Sequence, residues 1–432
     1  MSRRKIPGII NVTTKETKKS IRSLNRFDVF LIILVLLLIV TPIVLNLSFR
    51  QKTEAETVKP VNLYLSPRFE ELLGAEMTEK LILDFLELYP DLQIQVFNQE
   101  EIEDDREPDI LIIDEGEYRA LAKTGALVEL SHYTNYDSGE SQLAIPLASF
   151  MNLFFYNMDI LSAAGFDRPP KTRDEFLAYA RAVKNNAGLD GIAGAALSLS
   201  PADGQALSRD IFSWIWAAGG NFRTGDERPV INTRTIVNDV SFLGGLYRDG
   251  LTASGVFTTT GDWRLEEFAA GKIAMMIASS RAIPYLREKM GDNAFGITTI
   301  PVPDTAGSYN IDISGIYAAL GANSPYPDEA WLFLVFLAEQ SHLLREYFKA
   351  VPGLVSDIIS DGYIKSDPFY SKAWDIFESS VIVKGFSGTP DEDEYENIFY
   401  EEIRAFFESN RTAQETVTAI QRRWDEIYVG RE

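Results

Sequence analysis

The stretch that most restricts the fold runs from Tyr156 to Ala180, YNMDILSAAGFDRPPKTRDEFLAYA, because nearly every position sets where an element starts or stops. Asn157 or Asp159 is placed to cap a helix through DILSAAG, and Gly165 supplies the left-handed residue that closes it, with Phe166 as the apolar follower. Pro169 and Pro170 cannot continue a helix and stiffen the link. Thr172 and Glu175 have capping-box spacing, and Phe176, Leu177, Ala180 and Val183 give the next helix an apolar face. Such a segment orients two elements rigidly, directly after the strand-like FMNLFFY of 150–156.

The flanking periodicity is α/β. VNLYLS (61–66) alternates as a strand, and MTEKLILDFLELY (77–89) places Leu81, Ile82, Phe85, Leu86 and Tyr89 on one helical face before Pro90. LQIQVF (92–97) and the wholly apolar DILIID (109–114) read as strands, and EYRALAKTGALVEL (117–130) as a helix ended by Gly125. That order implies a mainly parallel sheet. In EEFAAGKIAMMIASSRAIPYL (266–286) a helix stops at Gly271, a buried strand follows, and Ser279 or Ser280 caps another helix. The amides of that helix start lie beyond the carboxyl end of the strand, where open α/β sheets bind oxygen-rich ligands. DEAWLFLVFLAEQ (328–340) reads as a buried helix, and AQETVTAIQRRWDEIY (413–428) as a last amphipathic one. At 432 residues, two domains are the default expectation.

Residues 29–47, VFLIILVLLLIVTPIVLNL, carry no charge and would span about 28 Å as a helix, close to a bilayer's hydrocarbon thickness. Eight basic residues precede them against Glu16 and Asp28, which keeps 1–28 in the cytoplasm. The rival reading is a cleaved secretory signal, whose apolar run is usually shorter and is followed by a small-residue cleavage pattern that NLSFRQKTEAE does not offer. The expectation is an uncleaved anchor at 29–49 and a polar tether at 50–60, with the rest of the chain outside the cytoplasm.

The net charge of −22 opposes binding to nucleic acid, which needs a basic face. With no cysteine, disulfides, thiolate metal sites and a cysteine-linked lipid are excluded. His132 and His342 are the only histidines and lack a third ligand, so neither a metal nor a cofactor is expected.

IPLASFMNLFFYNMDILSAAGFDRPPKTRDEF, PDILIIDEGEYRALAKTGALVEL and FAAGKIAMM together resemble the extracellular solute-binding proteins of ABC importers, in the maltose-binding-like branch. WIWAAGG, DEAWLFLVFLAE and AVPGLVS fall in that family's order, so the likeness spans about residues 60–430. It implies a class II periplasmic-binding-protein fold: two α/β lobes, 61–148 with 313–352 and 149–312 with 353–432, closing on a ligand by hinge motion. Two departures stand out. There is no lipobox, the anchor taking its place, and MMIASSRAIPYL lacks the glycine-tryptophan that often follows the family's G-K-x-A-M; Trp263 cannot be assumed to replace it.

The resemblance implies capture of a small molecule, a mono- or oligosaccharide, and delivery to ABC permease subunits, with no catalytic residue. Sugar sites pair aromatic faces with hydrogen-bonding side chains. The candidates at expected strand ends are Ser66, Arg68, Asp114, Glu115, Ser149, Phe150, Trp214, Trp216, Ser279, Ser280, Arg281, Ser314 and Gly315, with Trp374 as a further platform. The tryptophans have a core reading, and Asp114 with Glu115 a helix-start reading. Three other functions stay open: a glycosidase using Asp114 with Glu115 or Glu117, a sensory or scaffolding receptor, and a receptor for a cation. Against the last, acidic runs such as PDEDEYE (390–396) are expected to be solvated.

Overall fold

The computed structural model describes residues 61–429 apart from 99, 101–105, 134–142, 205, 226–227, 305, 307–308, 351–363, 365, 384 and 387–390. The expected anchor and tether lie outside the described residues, among which no helix is long and apolar enough to cross a membrane.

β1 (Val61–Leu65) is followed by α1 (Arg68–Leu73) and α2 (Ala75–Leu88), which buries Thr78, Leu81 and Phe85 on one face. β2 (Leu92–Val96) and β3 (Ile110–Asp114) flank β1, both parallel to it. α3 (Glu115–Ala122) starts on the residue after β3, earlier than the sequence suggests, and stops well short of 130. A reciprocal capping box sets that start: Glu117 N donates to Asp114 Oδ1 at 3.0 Å and Asp114 N to Glu117 Oε2 at 3.1 Å.

β4 (Ile145–Asn157) is a 13-residue strand. The expected joint follows as α4 (Met158–Ala163) and α5 (Arg173–Asn185). Asn157 caps α4, its Oδ1 accepting from Ile160 N at 3.0 Å. Gly165 has φ +93°, a conformation L side chains avoid, and Phe166 N donates to Leu161 O at 2.9 Å. Thr172 Oγ1 accepts from Glu175 N, but the Glu175 carboxylate turns to Lys171 N at 2.8 Å and Arg168 at 2.6 Å. The far end of the joint is tied inward. Arg173, buried, pairs with Asp239 and donates to Trp214 O at 2.9 Å. Burial pushes the Asp239 carboxyl up to about 6, with Arg173 opposing it.

A π-helical turn (Ser208–Phe212) leads into α6 (Ser213–Ala217), then α7 (Arg234–Arg248), α8 (Gly261–Ala269), β5 (Met275–Ser279), α9 (Ala282–Met290) and β6 (Phe295–Thr298). The expected serine cap of α9 is not formed. Arg281 holds the N-cap position with no side-chain cap, and Ser279 Oγ accepts only from Arg281 N. β7 (Asn310–Ile311), β8 (Ile313–Leu320), α10 (Pro327–Glu339), α11 (Ser341–Phe348), α12 (Pro368–Glu378), β9 (Val381–Ile382), α13 (Glu392–Phe407) and α14 (Ala413–Val429) complete the order.

One strand serves two sheets. From Ile145 to Met151, β4 pairs antiparallel with β8, ending at Met151↔Ile313. From Asn152 onward it pairs antiparallel with β5 on one side and β6 on the other. β8 is also antiparallel to β3, so the path β2-β1-β3-β8-β4-β5 is mixed, which corrects the expectation of mainly parallel sheets. The cause is connectivity. β4 carries the chain from one core to another and β8 carries it back, so the two run oppositely and impose antiparallel ladders on their other neighbours.

The cores change at the same place. Leu63, Phe85, Phe150, Ile316 and Phe333 belong to a first core. Met151, Phe295, Ile311 and Trp374 belong to a second, and Phe154, Trp214, Phe399 and Trp424 to a third beside it.

The Arg173–Asp239 pair is the most exacting of these contacts, because removing one partner strands a buried charge. Asp239→Ala is expected to lower the unfolding free energy by about 3–5 kcal/mol in urea titrations. A loss under about 1 kcal/mol, the scale of an exposed ion pair, would show that Arg173 reaches solvent instead.

Candidate functional site

A cavity of ≈ 90 Å³ opens where the cores meet, lined by Glu115, Gly116, Arg119, Phe150, Asn152, Gly204, Ser208, Arg209, Asp312, Ser314 and Glu396. Its floor is the crossing pair: Phe150 and Ser314 are cross-strand partners, so they share one face, while Ser149 and Gly315 share the other. One wall is the start of α3. The other comes from the π-helical turn and α13.

Local chemistry fixes each wall. Arg68 anchors the α3 start, donating to Asp114 at 2.8 Å and Glu117 at 3.0 Å. Glu115 is thereby placed against Tyr317, whose Oη donates to Glu115 Oε2 at 2.6 Å. Gly315 permits this: a Cβ there would sit 2.5 Å from the Tyr317 ring. Burial, with Glu115 adding to it, pushes the Tyr317 hydroxyl well above its usual range. On the opposite wall the π-turn is braced by side chains. Ser213 Oγ donates to Ser208 O at 2.6 Å, and Asn152 Nδ2 bonds Ser213 Oγ at 3.1 Å. Arg209 is held by Asp203 at 2.5 Å, and the buried Arg264 by Asp210 at 2.5 Å.

Arg119 joins the walls. It pairs with Glu115 at 3.2 Å on its own helix and with Glu392 of α13 at 2.5 Å, and Lys123 reaches Asp393 at 3.5 Å. The acidic run expected to be solvated is so at Asp393 and Glu394, whereas Glu392, 1 % exposed, is buried in this junction. Burial pushes the Asp312 carboxyl up to about 7, Glu115 and Glu396 adding to the shift and Arg119 opposing it. Burial likewise pushes Glu396 up to about 7, with Glu392 and Asp393 in the same direction and Arg119 and Lys123 against it. Among the described residues no cluster of histidine, cysteine or carboxylate side chains is arranged to hold a metal ion.

Of the sequence candidates, Glu115, Phe150 and Ser314 line the cavity. Asp114, Arg68 and Gly315 stand one step behind it. Ser66 accepts from Ile112 N, Ser149 is buried on the other strand face, and Ser280 brackets Met151, its N donating to Met151 O and its Oγ accepting from Met151 N. Trp214, Trp216 and Trp374 correct the aromatic expectation: all are core residues, packed on Phe154 and Phe176, on Phe212 and Phe222, and on Phe377 respectively. Phe150 is the aromatic side chain at the cavity, and the Arg281 guanidinium sits over its ring at 3.9 Å. Arg119, Asn152, Arg209, Asp312 and Glu396 were not anticipated. Asn152 stood inside the strand-like FMNLFFY, and its polarity amid apolar residues was the available signal.

The model of the bacterial extracellular solute-binding protein family matches residues 74–341. The chain is 26% identical over 200 residues to a binding protein of Brucella abortus (strain 2308), covering 45% of this chain and 46% of that one. It is 23% identical over 257 residues to an ABC transporter-binding protein of Deinococcus radiodurans, covering 57% and 60%. The chain thus spans about half the length of the curated relatives it matches. Among solved structures it is similar to a cyclic alpha-maltosyl-1,6-maltose binding protein from Arthrobacter globiformis (TM-score 0.68, 18% identity, 85% of this chain and 99% of that one). It is also similar to maltose-bound MalE3 of T. maritima (0.65, 18%, 85% and 100%) and to UgpB from Mycobacterium tuberculosis in complex with glycerophosphocholine (0.66, 18%, 86% and 99%). At these identities the likeness is one of fold.

The raised carboxyls at the cavity give a signed pH dependence. A carboxyl with a folded pKa above its unfolded one contributes stability below the unfolded value, and that stability is lost as pH rises through the folded value. For Asp312 and Glu396 the window runs from about 4 to about 7. Melting temperatures across that window are expected to fall less steeply in Asp312→Asn than in the unmodified chain. An unchanged slope would mean that Asp312 keeps an ordinary pKa.

Proposed function

Because the chain belongs to the bacterial extracellular solute-binding protein family, we propose that it captures a polar solute of the mono- or oligosaccharide class and passes it to an ABC permease. The two lobes are 61–148 with 313–352 and 149–312 with 353–432, and the solute binds as they close. The observation that carries this reading is the cavity on the crossing strands β4 and β8. Its lining comes from α3 on one side and from the π-turn and α13 on the other, so a bound solute would touch both lobes and favour the closed arrangement. Glu115, Asn152, Ser208, Asp312 and Ser314 supply the hydrogen bonds that an oxygen-rich solute needs. The glycosidase reading loses support, since Asp114 and Glu117 are engaged in capping α3 and in binding Arg68. Residues 29–49 hold the protein on the outer face of the cytoplasmic membrane, a reading that rests on their length, apolarity and basic flank.

Two experiments test this. In a thermal-shift screen of the full chain in detergent, at least one saccharide is expected to raise the midpoint. Ser314→Val should weaken it about tenfold by removing a hydrogen bond, about 1.4 kcal/mol, while Trp374→Phe in the core leaves affinity unchanged. No saccharide shift, or a shift lost on Trp374→Phe and kept in Ser314→Val, would overturn the assignment. Separately, alkaline carbonate washing should leave the chain in the membrane fraction at full length. Release of a shortened chain would make the apolar segment a cleaved signal.

A further inference from the structure

We propose that the captured solute carries a protonated amine, seated between Asp312 and Glu396. This rests on the receptor reading above and narrows its ligand class. Three carboxylates line the cavity from three elements: Glu115 on α3, Asp312 at the β7–β8 junction and Glu396 on α13. The two cations lining it are already engaged. Arg119 is shared by Glu115 and Glu392, and Arg209 is held by Asp203, with neighbouring Asp210 bound to Arg264. Glu115 also accepts from Tyr317. Among the described residues, neither Asp312 nor Glu396 makes an ion pair, although both are only half-exposed.

A neutral sugar would give these two carboxylates hydrogen bonds but leave their charge uncompensated in a site that closure dries. An ammonium group gives three donors and the missing charge together. The upward-shifted carboxyls of Asp312 and Glu396 agree with this, since burial and negative neighbours outweigh Arg119 at Asp312, and Arg119 with Lys123 at Glu396. The aromatic surface points the same way. The ring of Phe150 is covered by Arg281, so it is not free to receive the apolar face of a pyranose.

Proton linkage supplies the test. Burial raises both carboxyls to about 7, so a cation that pairs with them is expected to displace protons near neutral pH. Titration calorimetry of the full chain in detergent, in phosphate and in HEPES, would compare glucosamine, galactosamine and kanamycin with glucose, galactose, N-acetylglucosamine and maltose. At least one amine is expected to bind tenfold or more tightly than its neutral counterparts, with proton release seen as buffer-dependent heat. Asp312→Asn and Glu396→Gln should each weaken that amine at least tenfold and reduce the release, with melting curves confirming that they fold. Neutral sugars binding as tightly as the amines, or an amine bound without proton release, would overturn the inference. Sugars binding while no amine does would overturn it and leave the receptor reading standing. No binding by any solute in the panel would overturn both.

Discussion

The structure depends on the register Met151↔Ile313, where two antiparallel strands stop sharing one sheet and part to different cores. A strand that ladders with β8 along one half and with β5 and β6 along the other cannot shift by one residue without turning both halves inside out. That fixes which side chains meet at the crossing. Phe150 and Ser314 form the cavity floor because they are partners one step before the division, and Asn152 and Asp312 flank it because they lie just past it, Asn152 on β4 and Asp312 between β7 and β8. The rigid joint after β4 serves the same end. Asn157, Gly165, the two prolines and Thr172 set the direction of α5, and the buried Arg173–Asp239 pair holds it there.

Electrostatics across the junction are uneven, and magnitudes separate the contacts that matter. Lys123–Asp393 links the two walls, but Asp393 is 88% exposed, so that pair contributes at most about 1 kcal/mol. Arg119–Glu392 is different, because the Glu392 side chain is 2% exposed and its other cation, Lys123, stands at 4.0 Å. Breaking it costs far more than an exposed pair does. Arg119 also lines the cavity, so whatever binds there acts on the contact that joins the walls. In the proposed receptor, ligand recognition and closure meet at that one side chain, and a two-state response is expected.

The sequence was informative wherever one residue dictates local backbone. The joint, the buried helix at 327–339 and the last helix with Val417, Ile420 and Trp424 on its inner face were all legible as caps, stops and periodicity. Sheet direction was not, because an apolar strand such as β3 reads the same beside a parallel or an antiparallel neighbour. The cavity was legible in part. Glu115, Phe150 and Ser314 sit at strand ends, where the pattern pointed, but burial could not be assigned to a tryptophan from its identity, and Trp214, Trp216 and Trp374 are core. Asp312, Arg119 and Glu396 come from segments far apart in the chain, and only the return of β8 beside β4 assembles them. Asp393 and Glu394 are exposed as the acidic run at 390–396 suggested, but Glu392 is buried against Arg119, a partner 273 residues away.

The central claim is that a solute bound on the crossing strands draws the two halves together. The chain contains no cysteine, so a spin-label pair can be placed without background. The most direct measurement is pulsed electron spin resonance on the full chain carrying Glu79→Cys on α2 and Arg422→Cys on α14, with and without the tightest-binding solute of the panel. The account predicts a broad ligand-free distance distribution that narrows and shortens on binding, and that stays broad when Ser314→Val removes a cavity contact. A distribution identical with and without bound solute would contradict capture by closure.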